Sequence, residues 1–169
     1  SATTAAQACG YTGPDSHLMQ SGGSDLQGYN CQLAVDSDDQ VIGAVGVSNQ
    51  PPDVEHLEPM LQRISSSAGE MPTVMTMDAG YWSEDNVKLC ADQEIDASIA
   101  NGRRPHGQPL PPNRGPLPRD ADARARMARK LTSKKGSVIY AQRKAIVEPV
   151  NGQIKEARRL RRFLLRGLE

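Results

Sequence analysis

Cysteines are few in this 169-residue chain, and their spacing gives none of them an obvious partner. Cys9, Cys31 and Cys90 form an odd-numbered set without a CxxC motif or a Cys/His metal-ligand spacing. This pattern argues against a disulfide framework and gives no sign of a zinc site. Free thiols fit a reducing compartment.

Long hydrophobic runs are also absent. No apolar stretch approaches the roughly 18 residues that a membrane span requires, and no charged-then-apolar signal segment opens the sequence. We therefore expect a cytoplasmic protein that does not act in a membrane.

Basic residues are scarce in the first two thirds of the chain. Residues 1–113 contain four basic against 15 acidic residues, a net charge of −11, whereas residues 114–169 contain 16 basic against five acidic residues, a net charge of +11. Segregation on this scale indicates a polyanionic partner for the second part. The alternative is a solvated basic helix face that pairs with the acidic part of the same protein.

The length suits a single domain with a hydrophobic core. We divide it into a polar loop (1–28), an α/β core (29–100), a linker or insertion (101–119) that contains six of the 12 prolines, and a basic helical part (120–169). Because the chain begins without an initiator Met and stops inside an apolar helical pattern, we expect it to be a fragment of a longer protein.

Hydrophobic periodicity predicts the elements of the core. Residues 29–47 alternate as a β-hairpin does. Asp53 is then predicted as the N-cap of a helix, and Pro59 either kinks this helix or marks its first turn. The apolar face expected for the helix comprises Leu57, Met60, Leu61 and Ile64.

A second strand–helix–strand pattern follows. We predict a strand at 73–77, a helix capped by Ser83, a short strand at 97–100, and helices at 120–134 and 137–166. This order of elements predicts an α/β fold with a mixed sheet flanked by helices.

Two acids are placed for metal chemistry. Asp78 ends the strand at 73–77, and Glu148 lies in the basic helical part, directly before Pro149. Carboxylates on separate elements in a basic setting are what a two-metal phosphoryl-transfer site needs. The alternatives are a strand-ending turn for Asp78 and an ion pair with Lys144 for Glu148.

The motifs around these acids resemble those of a known family, the D-D-E transposases of bacterial insertion sequences. The most similar branch is the IS-four/IS-five-like one, in the group named eleven-eighty-two. The matching segments run in order along nearly the whole chain. They are Gly13-Pro14-Asp15-Ser16-His17-Leu18-Met19, Gly28-Tyr29-Asn30, Ala34-Val35-Asp36, Leu57-Glu58-Pro59-Met60-Leu61, Asp78-Ala79-Gly80-Tyr81-Trp82-Ser83, Ala145-Ile146-Val147-Glu148-Pro149-Val150 and Arg161-Arg162-Phe163-Leu164-Leu165-Arg166-Gly167-Leu168.

This resemblance implies a ribonuclease H-like fold and the catalytic domain of a transposase. Such a domain cleaves phosphodiesters at the ends of an insertion sequence and transfers the strand to target DNA. It implies two Mg²⁺ or Mn²⁺ ions, double-stranded DNA as partner, a possible homodimer, and a nucleoid-associated location in the bacterial cytoplasm. By the same resemblance, Asp78 is the second catalytic acid and Glu148 the third, and both are metal ligands.

By the same resemblance, four further residues are expected to contact the DNA phosphates. They are Tyr140, Arg143, Lys144 and Lys155. Four residues separate Arg143 from Glu148 where the family signature usually has three, which leaves Lys144 as an alternative for the arginine's role. The family's Tyr-Arg-Glu-Lys signature is matched by Tyr140, Arg143, Glu148 and Lys155.

The first acid is open at this stage. In the family it lies on an earlier, central strand, which would place it before Ser1 and leave this fragment inactive, with the sheet incomplete at its N-terminal strand. Asp36, at the end of the first hairpin strand, is the competing candidate. Two other functions also stay open: a metal-dependent nuclease of the same fold, and a catalytically dead remnant that binds DNA.

Overall fold

The computed structural model describes residues 17–21, 24–102 and 115–159. They form six strands and four helices, with 3₁₀ turns at Asp53–His56 and Ala79–Tyr81 and a π-helical turn at Gln153–Ala157. The elements are β1 (His17–Ser21), β2 (Ser24–Gly28), β3 (Asn30–Val35), β4 (Ile42–Ser48), α1 (Leu57–Ala68), β5 (Val74–Met77), α2 (Glu84–Asp92), β6 (Asp96–Ile99), α3 (Ala123–Thr132) and α4 (Lys134–Gly152).

The strands pair in three two-stranded sheets. β1–β2 and β3–β4 are antiparallel hairpins, and β5–β6 is a parallel pair connected through α2. The α/β class is therefore confirmed, but the described residues do not form the single mixed sheet that the sequence predicted. Each pair joins strands that are close in sequence, and no ladder links the β3–β4 hairpin to β5.

The predicted loop at 1–28 is wrong for its second half, where β1 and β2 form a hairpin. Ser21 pairs with Ser24 across the ladder, so the two strands are separated in sequence only by Gly22 and Gly23. A two-residue Gly-Gly connection is a recognised hairpin signal, and the polar composition of the segment concealed it. Residues 1–16 lie outside the described part of the chain.

The core lies where α1, α2 and α3 pack around β5 and β6. Pro59 occupies the first turn of α1, which a proline tolerates because the N–H it lacks has no helical partner there. The α1 face is buried as predicted at Leu57, Met60 and Leu61. The central cluster comprises Leu57, Leu61, Met77, Cys90, Ile95, Ala97, Ile99 and Met127.

The helix α3 lies antiparallel along β6. At one end, the amide of Asn101 donates to the carbonyl of Arg124 (2.7 Å), and the guanidinium of Arg124 donates back to the carbonyl of Asn101 (2.9 Å). At the other end, Lys130 forms an ion pair with Asp96 and donates to the carbonyl of Ala97. Ser133 is the single residue between α3 and α4, so these contacts also fix the position at which α4 begins.

The long final helix was predicted at 137–166. In the structure α4 begins three residues earlier, at Lys134, because the hydroxyl of Ser133 caps it by accepting from the amide of Gly136. No helix of the described residues is long and apolar enough to cross a membrane.

Candidate active site

Asp78 lies in the turn that directly follows β5, as the sequence predicted. It is the N-cap of the 3₁₀ turn Ala79–Tyr81, and its Oδ1 accepts the N–H of Gly80 at 2.9 Å. The residue is exposed, and no hydrogen bond to its Oδ2 is recorded in the described structure. One oxygen of Asp78 thus orders the turn while the other can reach a ligand.

Asn86 fixes this turn against the neighbouring 3₁₀ turn, Asp53–His56. Its buried side-chain amide donates to the carbonyls of Val54 and Tyr81, both at 2.9 Å. Asn86 is held in place by the predicted cap of α2, since its own N–H donates to the hydroxyl of Ser83 at 3.0 Å. The geometry of the Asp78 turn is therefore set by packing that extends into the core.

Tyr81 and Trp82 pack against the core cluster rather than standing free for base stacking. Burial raises the pKa of Tyr81 well above its usual value, and the nearby carboxylates of Asp53 and Asp78 raise it further. The phenol therefore stays protonated. Trp82 lies under the guanidinium of Arg124, 5.3 Å from the ring centroid, which places a cation close to the Asp78 turn.

Asp53 was predicted to be a helix N-cap, and this prediction is wrong. The cap position of the 3₁₀ turn is Pro52, without a side-chain cap bond. The carboxylate of Asp53 is directed elsewhere: its Oδ1 accepts from the side-chain amide of Asn30 at 2.7 Å and lies 3.4 Å from that of Gln32. Both partners lie on β3, more than 20 residues away, so no local pattern in the sequence could have revealed this arrangement.

Glu148 lies exposed on α4, one residue before a proline that the helix contains. Pro149 has no N–H, so the carbonyl of Ala145 loses its usual i+4 donor. The side-chain amide of Gln40 takes that place, donating to the Ala145 oxygen at 3.2 Å. The turn between β3 and β4 therefore docks on α4 one helical turn before Glu148.

Asp36 is separated from the Asp78 turn. Its Oδ2 accepts the N–H groups of Asp38 and Asp39 at 3.0 and 2.9 Å, which closes the hairpin turn. These hydrogen bonds lower its pKa. Asn30, which contacts Asp53 beside the Asp78 turn, begins β3, and Asp36 directly follows the other end of that strand. The two acids therefore order different turns, and no hydrogen bond joins Asp36 to the Asp78 turn in the described structure.

The four predicted phosphate contacts lie on α4 and on the π-helical turn after it. The guanidinium of Arg143 lies 5.5 Å from the ring centroid of Tyr140, one turn back on the helix. Its Nε is buried without a hydrogen-bond partner in the described structure, while Lys144 and Lys155 are exposed. The alternative ion pair between Lys144 and Glu148 is not among those that the described residues form.

The described residues contain no group of three or more His, Cys, Asp or Glu side chains arranged to hold a metal ion. Asp78 and Glu148 share no recorded hydrogen bond. Each nonetheless offers exposed carboxylate oxygens, the donor type that Mg²⁺ and Mn²⁺ prefer. The chemistry of these two donors fits such an ion, although a three-acid set is not assembled in this part of the chain.

Comparison with known proteins supplies the family. A family model described as a transposase DDE domain matches residues 4–169, which includes Asp78, Glu148 and the basic helical part. No curated protein and no solved structure matches the chain. Such a domain implies metal-dependent DNA cleavage of the transposase type, with divalent metal ions and DNA as partner. The chain belongs to the transposase DDE domain family.

Proposed function

We propose that this chain is the catalytic domain of a bacterial insertion-sequence transposase of the IS-four/IS-five-like branch, in the eleven-eighty-two group, on a ribonuclease H-like fold. In the intact transposase, such a domain cleaves phosphodiesters at the ends of the element and transfers the strand to target DNA. The observation that carries the proposal is Asp78: an exposed carboxylate at the end of a strand, in a turn fixed from the core, within a chain matched to the family over residues 4–169.

Asp78 and Glu148 are the residues proposed to hold Mg²⁺ or Mn²⁺. When bound, the two ions would activate a water or a 3′-hydroxyl for attack on phosphorus and would stabilise the charge of the leaving oxygen. The contribution of the chain itself is to present the carboxylates. Asp78 keeps Oδ2 available because Gly80 occupies only Oδ1.

Tyr140, Arg143, Lys144 and Lys155 are proposed to bind the DNA backbone. Contacts of this type position the duplex without reading its sequence. Lys144 and Lys155 support this role because both are exposed, on α4 and on the turn after it, where a phosphate oxygen can reach their ammonium groups. Work on DNA would place the protein with the bacterial nucleoid, and acting on paired ends would favour a homodimer.

The first test is Mn²⁺ titration of the isotope-labelled chain, followed by residue-resolved broadening in its amide NMR spectrum. We expect broadening centred on Asp78 and Glu148, at least tenfold weaker in both Asp78→Asn and Glu148→Gln. Asp36→Asn is the matched control, because it neutralises another exposed strand-end acid and should leave the broadening unchanged. Broadening that persists in Asp78→Asn would contradict the proposed ligands.

A second candidate is a DNA-binding remnant without catalysis. It is favoured by the absence of a three-acid metal group among the described residues and by the +11 charge of residues 114–169. Under this alternative, DNA binding would be sensitive to salt but indifferent to Asp78→Asn and to metal.

A strand-transfer assay distinguishes a transposase from a nuclease. A transposase joins an oligonucleotide with a 3′-hydroxyl end to target DNA, whereas a nuclease of the same fold only cleaves. Because two acids rather than three are proposed as ligands, we expect the chain alone to give no detectable strand transfer. Joined products that are lost in Asp78→Asn would show that the chain is a complete enzyme.

A further inference from the structure

The Asp78 turn and the β3–β4 hairpin belong to different sheets, and Asp53 lies where they meet. On the hairpin side, Oδ1 of Asp53 accepts from Asn30 at 2.7 Å, and Gln32 approaches the same oxygen at 3.4 Å. Asn30 and Gln32 are two residues apart on β3, so both project from one face of the strand. Asp53 is thereby attached to the first half of β3.

The other oxygen of Asp53 lies against Gly80. A Cβ added at Gly80 would overlap Oδ2 of Asp53 and would come within 3.2 Å of its Cβ and Cγ. Only glycine permits this close approach. The N–H of Gly80 is the group that donates to Oδ1 of Asp78 at 2.9 Å. A displacement of Gly80 would therefore be transmitted directly to the carboxylate of Asp78.

Asn86 holds the two 3₁₀ turns in register from the other side, through the carbonyls of Val54 and Tyr81. The backbone beside Asp53 and the backbone beside Gly80 are thus fixed relative to each other by a buried amide. Within this frame, the side chain of Asp53 bridges the space between β3 and Gly80.

We infer that Asp53 is a positioning residue for Asp78. It seats the Gly80 turn through steric contact and ties that turn to β3 through its hydrogen bond with Asn30. This inference rests on the proposed function, because it assigns Asp53 to the orientation of the Asp78 metal ligand. Asp53 acts through Gly80 and is not itself a ligand.

The test compares Asp53→Asn with Asp53→Ala in the full 169-residue chain. Asparagine keeps an oxygen that can accept from Asn30 and keeps the shape against Gly80, whereas alanine loses both. We expect Mn²⁺ affinity at Asp78 to stay within about threefold of the parent chain in Asp53→Asn and to fall at least tenfold in Asp53→Ala. The amide proton shift of Gly80, which reports its hydrogen bond to Asp78, should move only in the alanine variant.

Two further variants keep the result interpretable. Glu55→Ala removes an exposed acid of the same 3₁₀ turn and should change neither readout. Asn30→Ala keeps the Asp53 carboxylate but removes its donor, and should move both readouts in the direction of Asp53→Ala by a smaller amount. This variant decides the question if Asp53→Ala does not fold.

Three results would overturn the inference. Equal loss of Mn²⁺ affinity in the asparagine and alanine variants would make Asp53 a direct ligand. An unchanged Gly80 shift in both Asp53→Ala and Asn30→Ala would remove the positioning role. If the parent chain binds no Mn²⁺, the proposed metal site fails separately, and the Gly80 shift alone decides the role of Asp53.

Discussion

Asp78 and Asp36 each end a strand and each accept backbone N–H groups from the turn that follows. The sequence pattern does not distinguish the two residues, because each is an acid that directly follows a strand. The structure distinguishes them by surroundings. Asp78 is next to a turn anchored by Asn86, whereas Asp36 is fully exposed and serves its own hairpin.

The pH dependence of stability should reveal the role of Asp36. Its folded-state pKa is lowered by the hydrogen bonds from Asp39 and Asp38. It therefore contributes stability above the pKa of the unfolded chain, and this contribution is lost as pH falls through the folded pKa. Asp36→Ala should lower the urea midpoint at pH 7, and the difference should vanish at acidic pH, once the carboxyl is protonated in the folded chain as well.

Asp39→Ala is the control for this experiment, because it removes an exposed carboxylate of the same turn while keeping the backbone N–H that binds Asp36. Its effect on the midpoint should be smaller than that of Asp36→Ala at pH 7. An Asp36→Ala deficit of the same size at both pH values would rule out the carboxylate hydrogen bonds as its cause.

At the scale of elements, the apolar faces and N-caps of these helices could be predicted from the sequence. Ser83 caps α2, and the apolar spacing of α1 buries the predicted face. The proline inside α4 is visible in the sequence, but the hydrogen bond that compensates for its missing N–H is not. Gln40 lies in the turn between β3 and β4, outside any helical pattern, and its side-chain amide supplies the donor that Pro149 lacks.

A double-mutant cycle should measure this compensation. Gln40→Ala is expected to destabilise the chain by about 0.5–1 kcal/mol, since the Ala145 carbonyl then has only water as partner. In a Pro149→Ala background, residue 149 regains an N–H for that carbonyl, and Gln40→Ala should cost almost nothing. Thermal or urea unfolding of the four chains gives the coupling free energy.

Gln50→Ala is the matched control, because Gln50 is an exposed glutamine outside the helices and no hydrogen bond of its side chain is recorded in the described part of the chain. Its effect should be equally small in both backgrounds. Additive effects of Gln40→Ala and Pro149→Ala would show that the carbonyl of Ala145 does not depend on Gln40.

At the scale of the whole molecule, charge is divided between an acidic first part and a basic second part. The ion pair between Lys130 and Asp96 joins the two parts, but most of the basic side chains on α3 and α4 are not neutralised by such pairs in the described structure. Lys144 and Lys155 are both exposed. This arrangement favours a polyanion partner over internal pairing.

The salt dependence of DNA binding should report these lysines. Neutralising both, in Lys144→Gln/Lys155→Gln, should reduce the slope of log K against log salt by about 2, since each phosphate contact contributes about 0.9. Fluorescence anisotropy with duplex DNA between 50 and 200 mM salt measures it. Lys88→Gln, an exposed lysine on α2, is the control, and an unchanged slope in the double variant would exclude both lysines from the DNA contact.

The sequence by itself determined the local features of this protein: the hairpin at 29–47, the strand that ends in Asp78, the capped helices, the separation of charge and the family motifs. Such features depend on residues within about one turn or one strand of each other. The role of Asp53 and the docking of Gln40 on α4 were decided only by the tertiary structure. They join residues 23 and 105 positions apart, and only chain packing brings such residues together.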